Sequence, residues 1–169
     1  MKCLPKVYKE NIYTINYEKL YNQGVRCLLY DLDNTLVKID EKVPNKRLKK
    51  LFDTLTNKGF KVIIFSNCLP KRMKPFNSLG IESRCMQRKP NKSAFKKILK
   101  DFKKEEVAII GDQLLTDIKG GNKVGITTIL VDQVGKKDRI FTKLNRKREN
   151  RLLKKYGKLN LIKKGVYYD

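Results

Sequence analysis

Asp31 and Asp33 stand two positions apart in Asp31-Leu32-Asp33-Asn34-Thr35, directly after an apolar run. If the strand geometry continues, both carboxylates project to one side. Two adjacent carboxylates resist joint ionisation unless a cation or a raised pKa relieves them. A division of labour follows: one ionised nucleophile and metal ligand, and one acid that protonates a leaving group. Asp112, behind another apolar run and Gly111, adds a third carboxylate, with Asp117 a turn further on. Such a set without His or Cys suits a hard ion, and magnesium bound together with a substrate phosphate is the usual case. Ser66-Asn67 follows a further run and offers a hydroxyl and an amide to phosphate oxygens. Lys89, before Pro90, offers a charge that neutralises a phosphoryl group.

Each of these stretches alone has an ordinary explanation. Asp-x-Asp-x-Thr occurs in surface turns, Ser-Asn is a common loop start, and Asp after Gly serves as a turn or helix cap. Their ordered recurrence behind successive apolar runs is what those explanations do not produce.

The elements that must position these residues can be read from periodicity. Apolar runs at 25–30, 61–65, 81–85, 107–110 and 127–131 predict strands. Between them, residues 45–57 predict a helix with Leu48, Leu51, Phe52 and Leu55 on one face, ended near Gly59. Further helices are predicted over 70–79, 92–102 and 114–124. Continuous apolar strands alternating with amphipathic helices indicate an α/β fold: a three-layer α/β/α sandwich around a parallel central sheet of about five strands. In such sheets the site lies at the carboxyl ends of the strands, at the switch point of strand order. The predicted organisation is a core over 1–135 with an N-terminal extension. A basic C-terminal helical segment over 136–169 belongs to the same domain.

Composition narrows the chemistry. The 169 residues contain no histidine, which removes the commonest general base and zinc ligand. Cys3, Cys27, Cys68 and Cys85 form no C-x-x-C pair, and none of the last three has Arg six positions on, so a cysteine-phosphatase loop is absent. There is no G-x-x-x-x-G-K-[ST] loop. Cys27 and Cys68 read as buried free thiols. No signal peptide and no apolar run near the roughly 20 residues of a membrane span is present, so a reducing, cytoplasmic setting is expected. Forty Lys and Arg against 17 Asp and Glu leave a formal charge of +23, which attracts phosphate-rich partners. A lysine-rich composition of the kind an AT-rich genome favours explains part of that excess.

The stretches Asp31-Leu32-Asp33-Asn34-Thr35-Leu36-Val37, Phe65-Ser66-Asn67, Lys89-Pro90 and Gly111-Asp112-Gln113-Leu114-Leu115-Thr116-Asp117 resemble, in order, the four motifs of the haloacid dehalogenase-like (HAD-like) hydrolases. Within them the chain is similar to subfamily IIIA and, closely, to the YqeG family. The similarity extends through Leu4-Pro5, Gly120-Gly121-Asn122 and Thr128-Ile129-Leu130-Val131 into residues 141–151. The resemblance implies a Rossmannoid HAD-like fold and a phosphatase working through an aspartyl-phosphate. It implies Asp31 as nucleophile and Asp33 as acid and base, with Ser66, Asn67 and Lys89 on the phosphoryl oxygens. It further implies Mg2+ held by Asp31, the main-chain carbonyl of Asp33 and Asp112, with Asp117 supporting the metal shell.

Spacing bears on the substrate. Asp31 and Ser66 are 35 positions apart, and Ser66 and Lys89 are 23 apart, so neither interval has room for a cap domain. A capless site is open and accepts a large substrate. The YqeG family resembles phosphatidylglycerophosphate phosphatases, so an anionic phospholipid and an anionic membrane surface are the expected partners, with peripheral contact on the inner membrane face. Residues 136–164 carry 13 Lys/Arg against Asp138 and Glu149, a net of +11. Phe141, Leu144, Leu152 and Tyr156 could form a stripe, interrupted by Arg148, that either packs on the domain or dips into the interface. Two alternatives stay open: a capless phosphatase acting on nucleic-acid ends or phosphoprotein, and a non-catalytic RNA-, ribosome- or membrane-binding module with a vestigial site.

Overall fold

Uninterrupted apolar runs become the central strands, because only a strand covered on both faces can bury every side chain. The computed structural model describes residues 2–138, 140–163 and 165–169, and for residues 140 and 141 the backbone alone. β2 (Cys27–Tyr30) and β5 (Val107–Gly111) are buried at every position. β3 (Lys61–Phe65) and β6 (Thr127–Val131) flank them and are buried except at their first residues. β4 (Glu82–Arg84) and β1 (Val7–Lys9) close the two edges. The sheet order is β1-β6-β5-β2-β3-β4, and every neighbouring pair is parallel.

The sheet has six strands where the apolar runs indicated about five. The extra one, β1, has no apolar run of its own. It is recruited at the edge by pairing Val7, Tyr8 and Lys9 with Ile129, Leu130 and Val131. On its outer side Tyr8 N–H donates to the carbonyl of Tyr168 at 2.9 Å, so the chain's end covers that edge.

Alternation along the strands divides the core. Leu28, Tyr30, Val62, Ile64 and Ile110 face Leu20 of α1 (Tyr17–Asn22) and Leu48, Phe52 and Leu55 of α2 (Lys46–Asn57). Leu51 is only partly buried at that cluster's margin. Cys27, Leu29, Ile63, Phe65 and Ile109 face the opposite way, onto Ala94 and Phe95 of α4 (Lys92–Lys96) and Ile98 of α5 (Ile98–Asp101). The Asn45 side chain caps α2 by accepting from Leu48 N–H at 2.8 Å. The segment 70–79 begins as α3 (Pro70–Met73) and tightens into a 3-10 turn over Lys74–Leu79. Residues 92–102 form two short helices rather than one. The segment 114–124 starts as a wide π turn, Leu114–Ile118, before α6 (Lys119–Val124).

The C-terminal segment forms α7 (Ile140–Lys158). Tyr156 is buried, and Leu152 and Leu153 pack beside it against Cys3, Tyr8, Leu114, Ile118, Leu130 and Ile162. Leu144 is exposed, and the side chain of Phe141 lies outside the described residues. Tyr156 and Leu152 of the expected stripe therefore pack on the domain. Cys3, Cys27 and Cys68 are buried and free. Among the described residues no helix is long and apolar enough to cross a membrane.

Candidate active site

β2 pairs with β3 on one side and β5 on the other, so the strand order reverses between β2 and β5. The residues just past those two strands must face each other across that gap. Asp31 follows β2, still tied to β5 by its N–H to the carbonyl of Ile110 at 2.9 Å. Asp112 follows β5, Ser66 follows β3, and all three are buried.

Asp117 reaches the same place through backbone geometry. Its N–H and that of Ile118 both donate to the Gln113 carbonyl, at 3.2 and 3.3 Å, and the second bond widens the turn to five residues. The wide turn lays the Asp117 side chain against the backbone of Gly111. A Cβ at position 111 would stand 2.3 Å from Asp117 Cγ, so only glycine fits.

Asp31, Asp112 and Asp117 each offer an oxygen, and these oxygens lie within 4.8 Å of one another in a buried cluster. Lys89 balances part of that charge. Its Nζ donates to Asp31 Oδ1 at 2.8 Å, Asp117 Oδ1 at 2.6 Å and the Phe65 carbonyl at 2.6 Å, which uses all three ammonium protons. Burial alone would push the Lys89 ammonium down, but Asp117 and Asp31 hold it well above the usual lysine value. Burial pushes the Asp117 carboxyl up against the pull of Lys89, with Asp31 adding to the rise. Asp112 is pushed up to about 7, by burial first and then by the Asp31 and Asp117 charges, although Arg146 pulls it down. Three buried hard oxygen donors with one lysine among them fit a divalent oxygen-loving ion such as Mg2+.

Asp33 is placed differently from the other three carboxylates. It lines a pocket with Asp31, and its Oδ1 accepts from Arg72 Nε of α3 at 2.8 Å. Arg72 is anchored in turn on the main-chain carbonyls of Glu41 and Lys38, at 2.5 and 3.3 Å. Ser66 lines the pocket, and its Oγ accepts from Cys68 N–H at 3.3 Å. Asn67 braces the lysine loop: its Oδ1 accepts from Lys89 N–H at 2.8 Å and its Nδ2 donates to the Lys89 carbonyl at 3.1 Å. The pocket above these groups encloses about 250 Å³. No domain is inserted over it between Asp31 and Lys89, where the chain forms only α2, β3, α3, the 3-10 turn and β4.

Seven residues read from the sequence thus converge: Asp31, Asp33, Ser66, Asn67, Lys89, Asp112 and Asp117. Others came only with the structure. The Thr35 hydroxyl donates to Asp112 Oδ1 at 2.9 Å and accepts from Asp112 N–H at 3.1 Å. Arg146 of α7 donates to Asp112 Oδ2 and, at 2.8 Å, to its main-chain carbonyl. Thr142 and Asn145 of α7 line the pocket itself, as do Asp138 and Thr116. A trace of this was present in the sequence. Asp138 and Glu149 are the only acids within residues 136–164, and both face Arg146.

Comparison with known proteins places the chain by family and by fold. The HAD-hydrolase-like family model matches residues 86–151. The chain is 42% identical over 153 residues to "Probable phosphatase YqeG" of Bacillus subtilis (strain 168), covering 89% of each. The cobalt-bound form of the deoxy-D-mannose-octulosonate 8-phosphate phosphatase YrbI from Haemophilus influenzae superimposes with a TM-score of 0.55 at 18% identity, over 75% of this chain and 77% of that one. An uncharacterized protein from Listeria monocytogenes serotype 4b gives a TM-score of 0.53 at 20% identity, over 69% and 86%. The two solved structures share the fold of this chain.

Proposed function

The chain belongs to the YqeG family of haloacid dehalogenase-like hydrolases, and from that premise we propose that it is a magnesium-dependent phosphatase acting on phosphatidylglycerophosphate to give phosphatidylglycerol. One observation carries the phosphatase chemistry. Asp31 and Lys89 line a pocket together with a second acid, Asp33, and behind them Asp112 and Asp117 complete a buried carboxylate cluster with Asp31.

Asp31 attacks phosphorus in line, and the bond to the alcohol oxygen breaks as the aspartyl-phosphate forms. Asp33, oriented by Arg72, gives its proton to the departing alcohol. It then takes a proton from the water that attacks the phosphorylated aspartate, which releases phosphate and restores Asp31. Ser66 donates its hydroxyl to a phosphoryl oxygen, and Lys89 supplies the charge that offsets the phosphoryl group next to Asp31. Mg2+, held by Asp31, Asp112 and the main-chain carbonyl of Asp33 with support from Asp117, would neutralise charge on the transferring group.

Two features support a lipid phosphate. The site has no inserted cap, so a headgroup can be presented from a surface. The exposed face of α7 is mainly cationic: Lys143, Lys147, Arg148, Arg151, Lys154, Lys155 and Lys158 are exposed alongside Leu144 and Asn150, and the helix's one acid, Glu149, is buried. An anionic bilayer is attracted to such a face by charge alone, with the protein held peripherally at the membrane.

The test offers the purified protein phosphatidylglycerophosphate, a 3′-phosphorylated oligonucleotide and an aryl phosphate, each with and without magnesium. Preferred magnesium-dependent turnover of the lipid is expected. Asp31→Asn should lower it on the order of 10⁴-fold or more, the scale on which loss of a nucleophile is felt. Turnover persisting in that variant would refute the nucleophile. Preference for the oligonucleotide would move the substrate to nucleic-acid ends, and no turnover of any substrate would favour a binding module.

A further inference from the structure

Asp112 sits on a loop beside two other carboxylates, so its side chain must be held against their repulsion before any ion arrives. Thr35 holds one oxygen, Oδ1. The other oxygen and the main chain are held from the far end of the sequence, by Arg146 of α7. Its Nη2 donates to Asp112 Oδ2, and its Nη1 donates to the Asp112 carbonyl at 2.8 Å and to Glu149 Oε2 at 3.1 Å. Its Nε lies 3.4 Å from Asp138 Oδ2. Glu149, itself buried, accepts from Leu115 N–H at 2.9 Å. Arg146 and Glu149 together therefore grip both ends of the stretch from Asp112 to Leu115. That stretch leads into the wide turn carrying Asp117.

The arrangement is a built one. A guanidinium with only 17% of its side chain exposed meets three carboxylates from three separate segments. Planar forked donors of this kind fix the orientation of a carboxylate in a way a point charge does not. We infer that Arg146 is a positioning residue for the metal site: from α7 it sets the rotamer and main-chain position of Asp112, so that the carboxylate is presented to the ion together with Asp31 and Asp117. The inference rests on the proposed role of Asp112 as a metal ligand.

Mn2+ binding, followed by the loss of the free-ion electron spin resonance signal, tests both ideas and separates them. The intact protein should bind Mn2+ at one site. Arg146→Ala should weaken that binding about tenfold or more, the usual effect of removing a group that holds a ligand in place. Arg146→Lys should recover part of the affinity. Glu149→Gln keeps an acceptor for Leu115 N–H but removes the charge beside Arg146, so it tests the same brace if Arg146→Ala fails to fold. It should weaken binding several-fold. Melting temperatures of all variants are recorded alongside, because a merely structural arginine would lower them and leave Mn2+ affinity unchanged. Unchanged affinity in folded variants overturns the inference. So does tighter binding, which would mean that the guanidinium occupies the ion's own place. Absence of Mn2+ binding in the intact protein overturns the metal reading of Asp112, and the role of Arg146 with it.

Discussion

Asp112 shows how burial converts an ordinary carboxylate into a pH-dependent one. Its carboxyl is raised from 3.8 to about 7, by burial first and by Asp31 and Asp117 next. Between those values the folded, metal-free protein holds a proton that the unfolded chain has released. The stability this group contributes is therefore whole below about pH 4 and is lost as pH rises through about 7. In the proposed ligation a bound cation would take the proton's place, because ligating oxygens must be deprotonated. The rise in melting temperature on adding magnesium chloride should thus be small near pH 5 and grow towards about pH 8. An increment that stays constant, or shrinks, across that range would contradict the assignment. Asp31, Asp33, Ser66, Lys89 and Asp112 were legible as residues because each lies next to a strand end or a helix start. Arg146 and Arg72 were not, since one more arginine carries no signal in a chain with 40 basic residues.

The element that most affects the site is the wide turn Leu114–Ile118. Periodicity marks 114–124 as one helix, because a single inserted residue barely disturbs the spacing of apolar positions. The insertion nevertheless turns Asp117 inward over Gly111. Gly111→Ala should drive the new methyl into Asp117, which then loses its register with Lys89 and Asp31. A misplacement near 1 Å at such a centre lowers turnover by about 10²-fold. The accompanying stability loss should be ~1–3 kcal/mol, typical of overpacking. Steady-state kinetics and urea unfolding measure the two separately. Wild-type turnover in the variant would show that Asp117 need not stand where the turn puts it. Thr142 and Asn145 belong to the same scale, since α7 makes one wall of the pocket without any insertion between the motifs.

For the molecule as a whole, α7 presents two chemically different faces. Its inner face carries Tyr156, Glu149 and Arg146 against the fold, and its outer face carries the seven exposed cations. Removing the chain from Lys136 onward would strip both, so substitutions are the cleaner probe of membrane contact. Lys147→Glu, Arg151→Glu and Lys154→Glu together should weaken binding to phosphatidylglycerol-containing vesicles by about 10²-fold or more, at roughly 1 kcal/mol for each cation near the surface. Vesicle sedimentation at low and high salt reads this directly. Turnover of a soluble aryl phosphate should be unaffected, and unchanged vesicle binding would remove α7 from the proposed interface.

The sequence by itself determined the parallel sheet and the residues at its strand ends, because burial on both faces demands uninterrupted apolar runs and chain polarity places their carboxyl ends together. It also determined that Asp31 and Asp33 are neighbours, since they are two residues apart. Only the tertiary structure decided that Asp33 pairs with Arg72 while Asp31 pairs with Lys89. It alone recruited β1 to the edge of the sheet and brought Arg146 onto Asp112 from 34 residues away. Those contacts depend on where α3, β6 and α7 lie in space. A charge in a polar stretch looks the same in sequence whether it faces water or a buried carboxylate.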